Sequence, residues 1–297
     1  MFVYKDSPIF VISFGGARNY DSLHEPLSGA MQMNASTFFT VGDGTRIAYR
    51  FDGAADKPVL VLSNSIATSL HMWDGQVAAL TRDFRVLRYD ARGHGASDAP
   101  AGAYSLDRLG RDVLELLDGL GLERVHFAGL SLGGFVGQWL GVHAPERIDR
   151  LVLSNTSPYL GPAAQWDALI GSLHGAGDLA DMAEMFIGNW FPERLRRDAP
   201  GTVEPFRAMV LATPAQGLAG SFAAVRDADL RRTVVLIPRP TLVIAGQYDT
   251  VTLASHGEQI AAAIPGARLV MLPAVHMPNV EYPAEFVAAL REFLLDS

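Results

Sequence analysis

The chain of 297 residues contains no cysteine. That absence excludes disulfides, thiol nucleophiles and cysteine-ligated zinc. It suits a reducing compartment, so a cytoplasmic location is the expectation. Charge is scarce at 19%, and 24 basic against 32 acidic residues leave a net charge of −8. No basic block with interleaved aromatics occurs, so nucleic acid is not an expected partner. No apolar run approaches the length that spans a bilayer, and no membrane partner is expected. The run Ile9–Phe14 is short and Lys5 is offset by Asp6, a poor match to a secretory signal. Phosphate-loop and histidine–carboxylate helix patterns are both missing, so neither a nucleotide nor a metal cofactor is expected. What the chain does have is apolar material, 49% of its residues, enough for a substantial core.

Residues 1–35 lack a clear period and read as an N-terminal extension outside the fold. From Thr37 onward strands and helices alternate. Phe38–Val41 and Arg46–Asp52 flank a Gly-Asp-Gly turn, the signature of a hairpin. Pro58–Ser63, Arg85–Tyr89, Val125–Leu130, Arg150–Ser154, Pro240–Ala245 and Arg268–Leu272 read as further strands. Several are continuous apolar runs, which marks strands covered on both faces. Helical spacing appears at Met72–Leu80, Leu106–Leu120, Leu132–His143, His256–Ile264 and Ala284–Leu295. Between about 157 and 234 the patterns are helical only, including Leu179–Trp190 and Leu218–Leu230. The expected architecture is therefore α/β: a mostly parallel sheet with helices on both faces. Residues 36–156 and 235–297 form the core, and 157–234 an inserted helical cap.

Gly129-Leu130-Ser131-Leu132-Gly133 matches G-x-S-x-G and lies between a predicted strand and a predicted helix. In that setting the pattern is a nucleophile elbow, with the serine hydroxyl lifted above the sheet edge at a helix N-terminus. A serine hydroxyl needs a base. Of the eight histidines, only His276 follows the last strand in a loop. Asp249, after the strand ending near Ala245, is the orienting acid in the chain order Ser…Asp…His. Asp229 is the weaker competitor, because it falls in a helical stretch of the cap. The oxyanion donors are the N–H groups of Leu132, next to the nucleophile, and Ile66, in the loop after Pro58–Ser63.

These residues resemble the 3-oxoadipate enol-lactonases of the α/β-hydrolase superfamily from about Thr37 to Leu295. The resemblance is carried by Leu62-Ser63-Asn64-Ser65, by His71-Met72-Trp73, by Arg88-Tyr89-Asp90-Ala91-Arg92-Gly93-His94-Gly95-Ala96-Ser97, and by Gly129–Gly134. Asn64-Ser65 stands where most of the superfamily has His-Gly. One departure follows it: Ile66-Ala67 occupies the place where Leu-Gly is the pattern. The resemblance implies the α/β-hydrolase fold and ring opening of an anionic lactone to 3-oxoadipate, in the breakdown of aromatic acids. The residues alone leave open a general carboxylesterase, a cofactor-free perhydrolase or a carbon–carbon bond hydrolase with the same triad, and a fold relative without activity. Asn64 and Trp190 are candidate pocket residues. Trp166, Phe186, Phe191 and Phe222 offer further apolar cap walls, and Arg194, Arg196, Arg197, Arg207 and Arg226 offer charge.

Overall fold

The computed structural model describes residues 37–173, 175 and 178–296. The expected extension at 1–35 lies outside the described residues. Among the described residues eight strands form one sheet: β1 Thr37–Thr40, β2 Arg46–Asp52, β3 Val59–Ser63, β4 Arg85–Tyr89, β5 Val125–Leu130, β6 Ile148–Ser154, β7 Thr241–Gly246 and β8 Arg268–Leu272. Their spatial order is β1-β2-β4-β3-β5-β6-β7-β8. β1 and β2 pair antiparallel with each other, and β2 with β4. The remaining pairs are parallel. Every residue of β5 and of β7 is buried, which is why these segments are apolar without alternation.

Helices α1 Asp74–Leu80, α2 Leu106–Gly119 and α3 Leu132–His143 connect the first six strands. α2 shows how sequence dictates the element. Ser105 caps it, accepting from the Arg108 N–H at 3.1 Å, and Leu106, Leu109, Val113, Leu116 and Leu117 form one buried stripe. Five helices then intervene between β6 and β7: α4 Ala163–Leu173, α5 Ala180–Trp190, α6 Glu193–Asp198, α7 Pro200–Ala212 and α8 Ala215–Asp227. α9 Ala254–Ala263, α10 Pro278–Glu281 and α11 Pro283–Leu294 follow. No single helix among the described residues is long and apolar enough to cross a membrane.

The helix expected at Leu218–Leu230 runs instead from Ala215 to Asp227. Asp229 therefore lies outside it, in an isolated antiparallel bridge with Tyr159. The cause is tertiary: the Leu230 N–H donates to Pro158 O at 2.8 Å, which holds the chain extended just past α8. α8 also docks the cap helices on the core. A Cβ on Gly217 would lie 2.3 Å from Gly93 O, so only glycine permits that approach.

The parallel register aligns the carboxyl ends of the central strands. Ser63 faces Gly129, Leu130 faces Ser154, Ser154 faces Ile244, and Gly246 faces Leu272. The loops after β3, β5, β6, β7 and β8 thus emerge side by side along one edge, the usual place for a site in an open α/β sheet.

Candidate active site

Ser131 sits on the turn from β5 to α3 with φ +57° and ψ −113°. A non-glycine residue in that region costs on the order of 1–3 kcal/mol and persists only where its surroundings over-determine it. Here they do. The Ser131 N–H donates to Ser154 O at 3.0 Å, and the Gly133 N–H to Asn64 O at 2.9 Å. The Thr156 hydroxyl donates to Ser131 O at 2.9 Å. The flanking glycines are needed for space, not for positive φ. A Cβ on Gly129 would lie 2.0 Å from Gly133 O, and one on Gly133 would lie 2.2 Å from Ser63 O. Ser131 keeps 8% of its surface exposed.

His276 and Asp249 meet across the neighbouring loops. The imidazole Nδ1 lies 2.8 Å from Asp249 Oδ2, and the residues are 1% and 4% exposed. Asp249 Oδ1 accepts from the N–H groups of Val251 at 2.8 Å and Thr252 at 3.0 Å. Oδ2 also accepts from the Thr252 hydroxyl at 2.7 Å and from Asn155 Nδ2 at 2.9 Å. Burial pushes this carboxyl up, but the histidine and these donors outweigh it and hold the group below its ordinary range. An Asp249 carboxylate facing Nδ1 selects the tautomer with Nδ1–H, which leaves Nε2 as an acceptor.

The loop Asn64–Ala67 crosses beside the elbow. Neither the Ile66 nor the Leu132 N–H pairs with a backbone carbonyl of the described residues. Leu132 is the first residue of α3, where helix geometry leaves N–H groups free. Ala67 holds φ +57°, the conformation that a glycine adopts without cost. Alanine at this place therefore carries strain that a glycine would not. Asp90 anchors the segment behind the loop, accepting from the Leu70 N–H at 2.6 Å and the Ala96 N–H at 2.8 Å. Arg92 is buried and paired through Nε with Asp112 at 2.5 Å, beneath the Gly93–Gly95 turn. His94 is buried, with Nδ1 3.1 Å from Arg92 O, and burial pushes its pKa down to about 4. Its place is in the loop scaffold.

The two expected pocket residues are both buried. Asn64 Oδ1 accepts from the Trp73 indole at 2.9 Å, and its Nδ2 donates to Tyr89 O at 2.8 Å. That side chain braces the loop behind the site, and it lines a small cavity with Ser63, Tyr89, Arg92 and Leu132. Trp190 is 1% exposed and packs on Phe186 with ring centroids 4.7 Å apart. It belongs to the apolar core among the cap helices, where Trp166–Phe222 and Phe191–Phe206 make similar contacts. Arg197 pairs with Asp198, Arg207 with Glu184 and Glu204, and Arg226 with Asp167 and Asp227. Asp229 pairs with Arg231 on the surface. Asn155, Thr252 and Glu281 were not singled out from sequence. The available signal was a polar residue directly after a buried strand, as Asn155 is after β6.

The fold is shared with other proteins. The family model for the alpha/beta hydrolase fold matches residues 58–283. A 3-oxoadipate enol-lactonase of Acinetobacter baylyi is 39% identical over 238 residues, covering 80% of this chain and 89% of that protein. The crystal structure of a hydrolase from Pseudomonas aeruginosa superposes with a TM-score of 0.87 at 64% identity, over 88% of this chain and 99% of the other. That of the enol-lactonase from Burkholderia xenovorans superposes with a TM-score of 0.85 at 38% identity, over 88% and 100%. The chain belongs to the α/β-hydrolase family of enzymes.

Proposed function

We propose that the protein is a serine hydrolase that opens 3-oxoadipate enol-lactone to 3-oxoadipate through an acyl-enzyme, as a cytoplasmic step of aromatic-acid breakdown. The observation that carries the chemistry is the buried His276–Asp249 pair on the same sheet edge as the strained Ser131 elbow. The similarity to enol-lactonases supports the substrate.

In this reading His276 Nε2 takes the Ser131 proton as Oγ attacks the lactone carbonyl. The N–H groups of Ile66 and Leu132 hold the tetrahedral oxyanion, each contributing on the order of 3 kcal/mol. Collapse breaks the ring C–O bond and releases an enol oxygen, which takes its proton from His276. The enol relaxes to a ketone, so the ring does not easily re-close. A water that gives its proton to His276 then cleaves the Ser131 ester, and Ser131 recovers its hydrogen. Asp249 holds the imidazole and stabilises its charged form.

The test compares kcat/KM for the enol-lactone, its neutral methyl ester and simple aryl esters. One charge-assisted contact to the substrate carboxylate predicts about a tenfold to hundredfold preference for the acid over the methyl ester. Faster turnover of aryl esters than of the lactone would instead identify a general carboxylesterase.

A further inference from the structure

We propose that Asn155 and Glu281 are positioning residues that grip Val275 from its two ends and so set His276 against Asp249. The inference rests on the reading of Ser131, His276 and Asp249 as the catalytic groups. Asn155 is the first residue after β6, buried, with φ +40°. Its own N–H donates to Ile244 O at 2.8 Å, which ties it to β7. Its Nδ2 lies 2.9 Å from Asp249 Oδ2 and 2.9 Å from Val275 O. One amide therefore joins the acid to the residue that precedes the base. At the other end of Val275, the N–H donates to Glu281 Oε1 at 2.7 Å. Glu281 is the last residue of α10, which follows the His276 loop directly.

Both backbone polar groups of Val275 are thus held by side chains, where a strand or helix would have used its own backbone. The strand end adds a steric wall: a Cβ on Gly246 would lie 2.2 Å from Val275 O. A loop does not hold an imidazole to a fraction of an ångström without such support, and general-base catalysis needs that precision. The charged groups facing Glu281 are Asp249 and Arg194, the latter from α6. Burial pushes the Glu281 carboxyl up to about 7; the Val275 N–H and Arg194 oppose the rise, and Asp249 adds to it. The ionised form accepts the Val275 hydrogen bond more strongly than the neutral acid does. The clamp therefore tightens as pH rises through neutrality.

The experiment measures kcat and KM on p-nitrophenyl acetate from pH 6 to 9, with melting curves, for wild type, Asn155→Ala, Glu281→Ala and Glu281→Gln. Asn155→Ala and Glu281→Ala should lower kcat about tenfold to a hundredfold with KM within about twofold, at temperatures where both are folded. Glu281→Gln keeps an acceptor for Val275, so it should restore kcat at pH 8 to within about twofold of wild type. If Asn155→Ala does not fold, the partly exposed Glu281 pair of variants carries the test. Fluorophosphonate labelling of wild type against Ser131→Ala runs in parallel. Wild type that does not label at Ser131 defeats the catalytic reading itself. Wild type that labels, with folded alanine variants retaining full kcat, overturns the clamp. So does an equal loss in Glu281→Gln and Glu281→Ala.

Discussion

Exchanging one oxygen for nitrogen in Asp249→Asn tests the base–acid assignment most sharply. The carboxylate faces donors on both sides: two backbone N–H groups at Oδ1, and the Thr252 hydroxyl, Asn155 Nδ2 and His276 Nδ1 at Oδ2. An asparagine amide has one accepting and one donating end. Turned one way, its NH₂ meets the Val251 and Thr252 N–H groups, and buried donors are left unpaired at about 1–3 kcal/mol each. Turned the other way, its NH₂ points at His276 and drives the imidazole into the tautomer with Nε2–H. That form cannot accept the Ser131 proton. The same exchange in a known triad lowers kcat about 10⁴-fold, or about 5.5 kcal/mol, and a comparable loss is expected here. Asp229→Asn, which alters only a surface pair with Arg231, should be neutral. The assay is kcat/KM on the enol-lactone and on p-nitrophenyl acetate for both variants, alongside melting curves. Activity of folded Asp249→Asn within tenfold of wild type would refute the assignment, as would a large loss confined to Asp229→Asn.

Ser131→Ala should abolish fluorophosphonate labelling and nearly all turnover, and because alanine keeps the Cβ and the same backbone strain the melting temperature should move little; residual labelling at full stoichiometry would contradict the nucleophile reading. Gly217→Ala should push α8 off the Gly93 turn, costing about 1–3 kcal/mol in urea unfolding and loosening the cap; an unchanged midpoint would mean that the contact yields freely. His94 is neutral in the folded protein until about pH 4, whereas an exposed histidine protonates near 6.5. The unfolded chain therefore binds the extra proton first, and stability present above pH 6.5 is lost as pH falls toward 4, by about 3 kcal/mol from this residue. Urea titrations of wild type and His94→Asn across that window should differ in slope by about one proton, and parallel curves would exclude the effect.

Where local pattern decides structure, the sequence was sufficient. Arg46–Asp52, Arg85–Tyr89, Val125–Leu130, Leu132–His143 and Arg268–Leu272 have the bounds that their residue patterns predict. The α/β class follows from their alternation. Ser131 could be named because the tight strand-to-helix turn leaves a local signature of glycines. His276 and Asp249, which the structure pairs, could be named as candidates because chain order and loop position after late strands restrict the choice. What sequence could not decide was anything set by contacts distant in the chain. Asp229 left its expected helix because Pro158 captured the backbone just beyond it. Asn64 spends its amide on Tyr89 and Trp73, and Trp190 packs on Phe186, partners that no local pattern names. Asn155 precedes Val275 by 120 residues and Asp249 by 94, and only the parallel register of β6, β7 and β8 makes one amide their common partner. Hydrogen bonds of that span have no local period, so tertiary structure alone decides which side chains meet Val275 and Asp249.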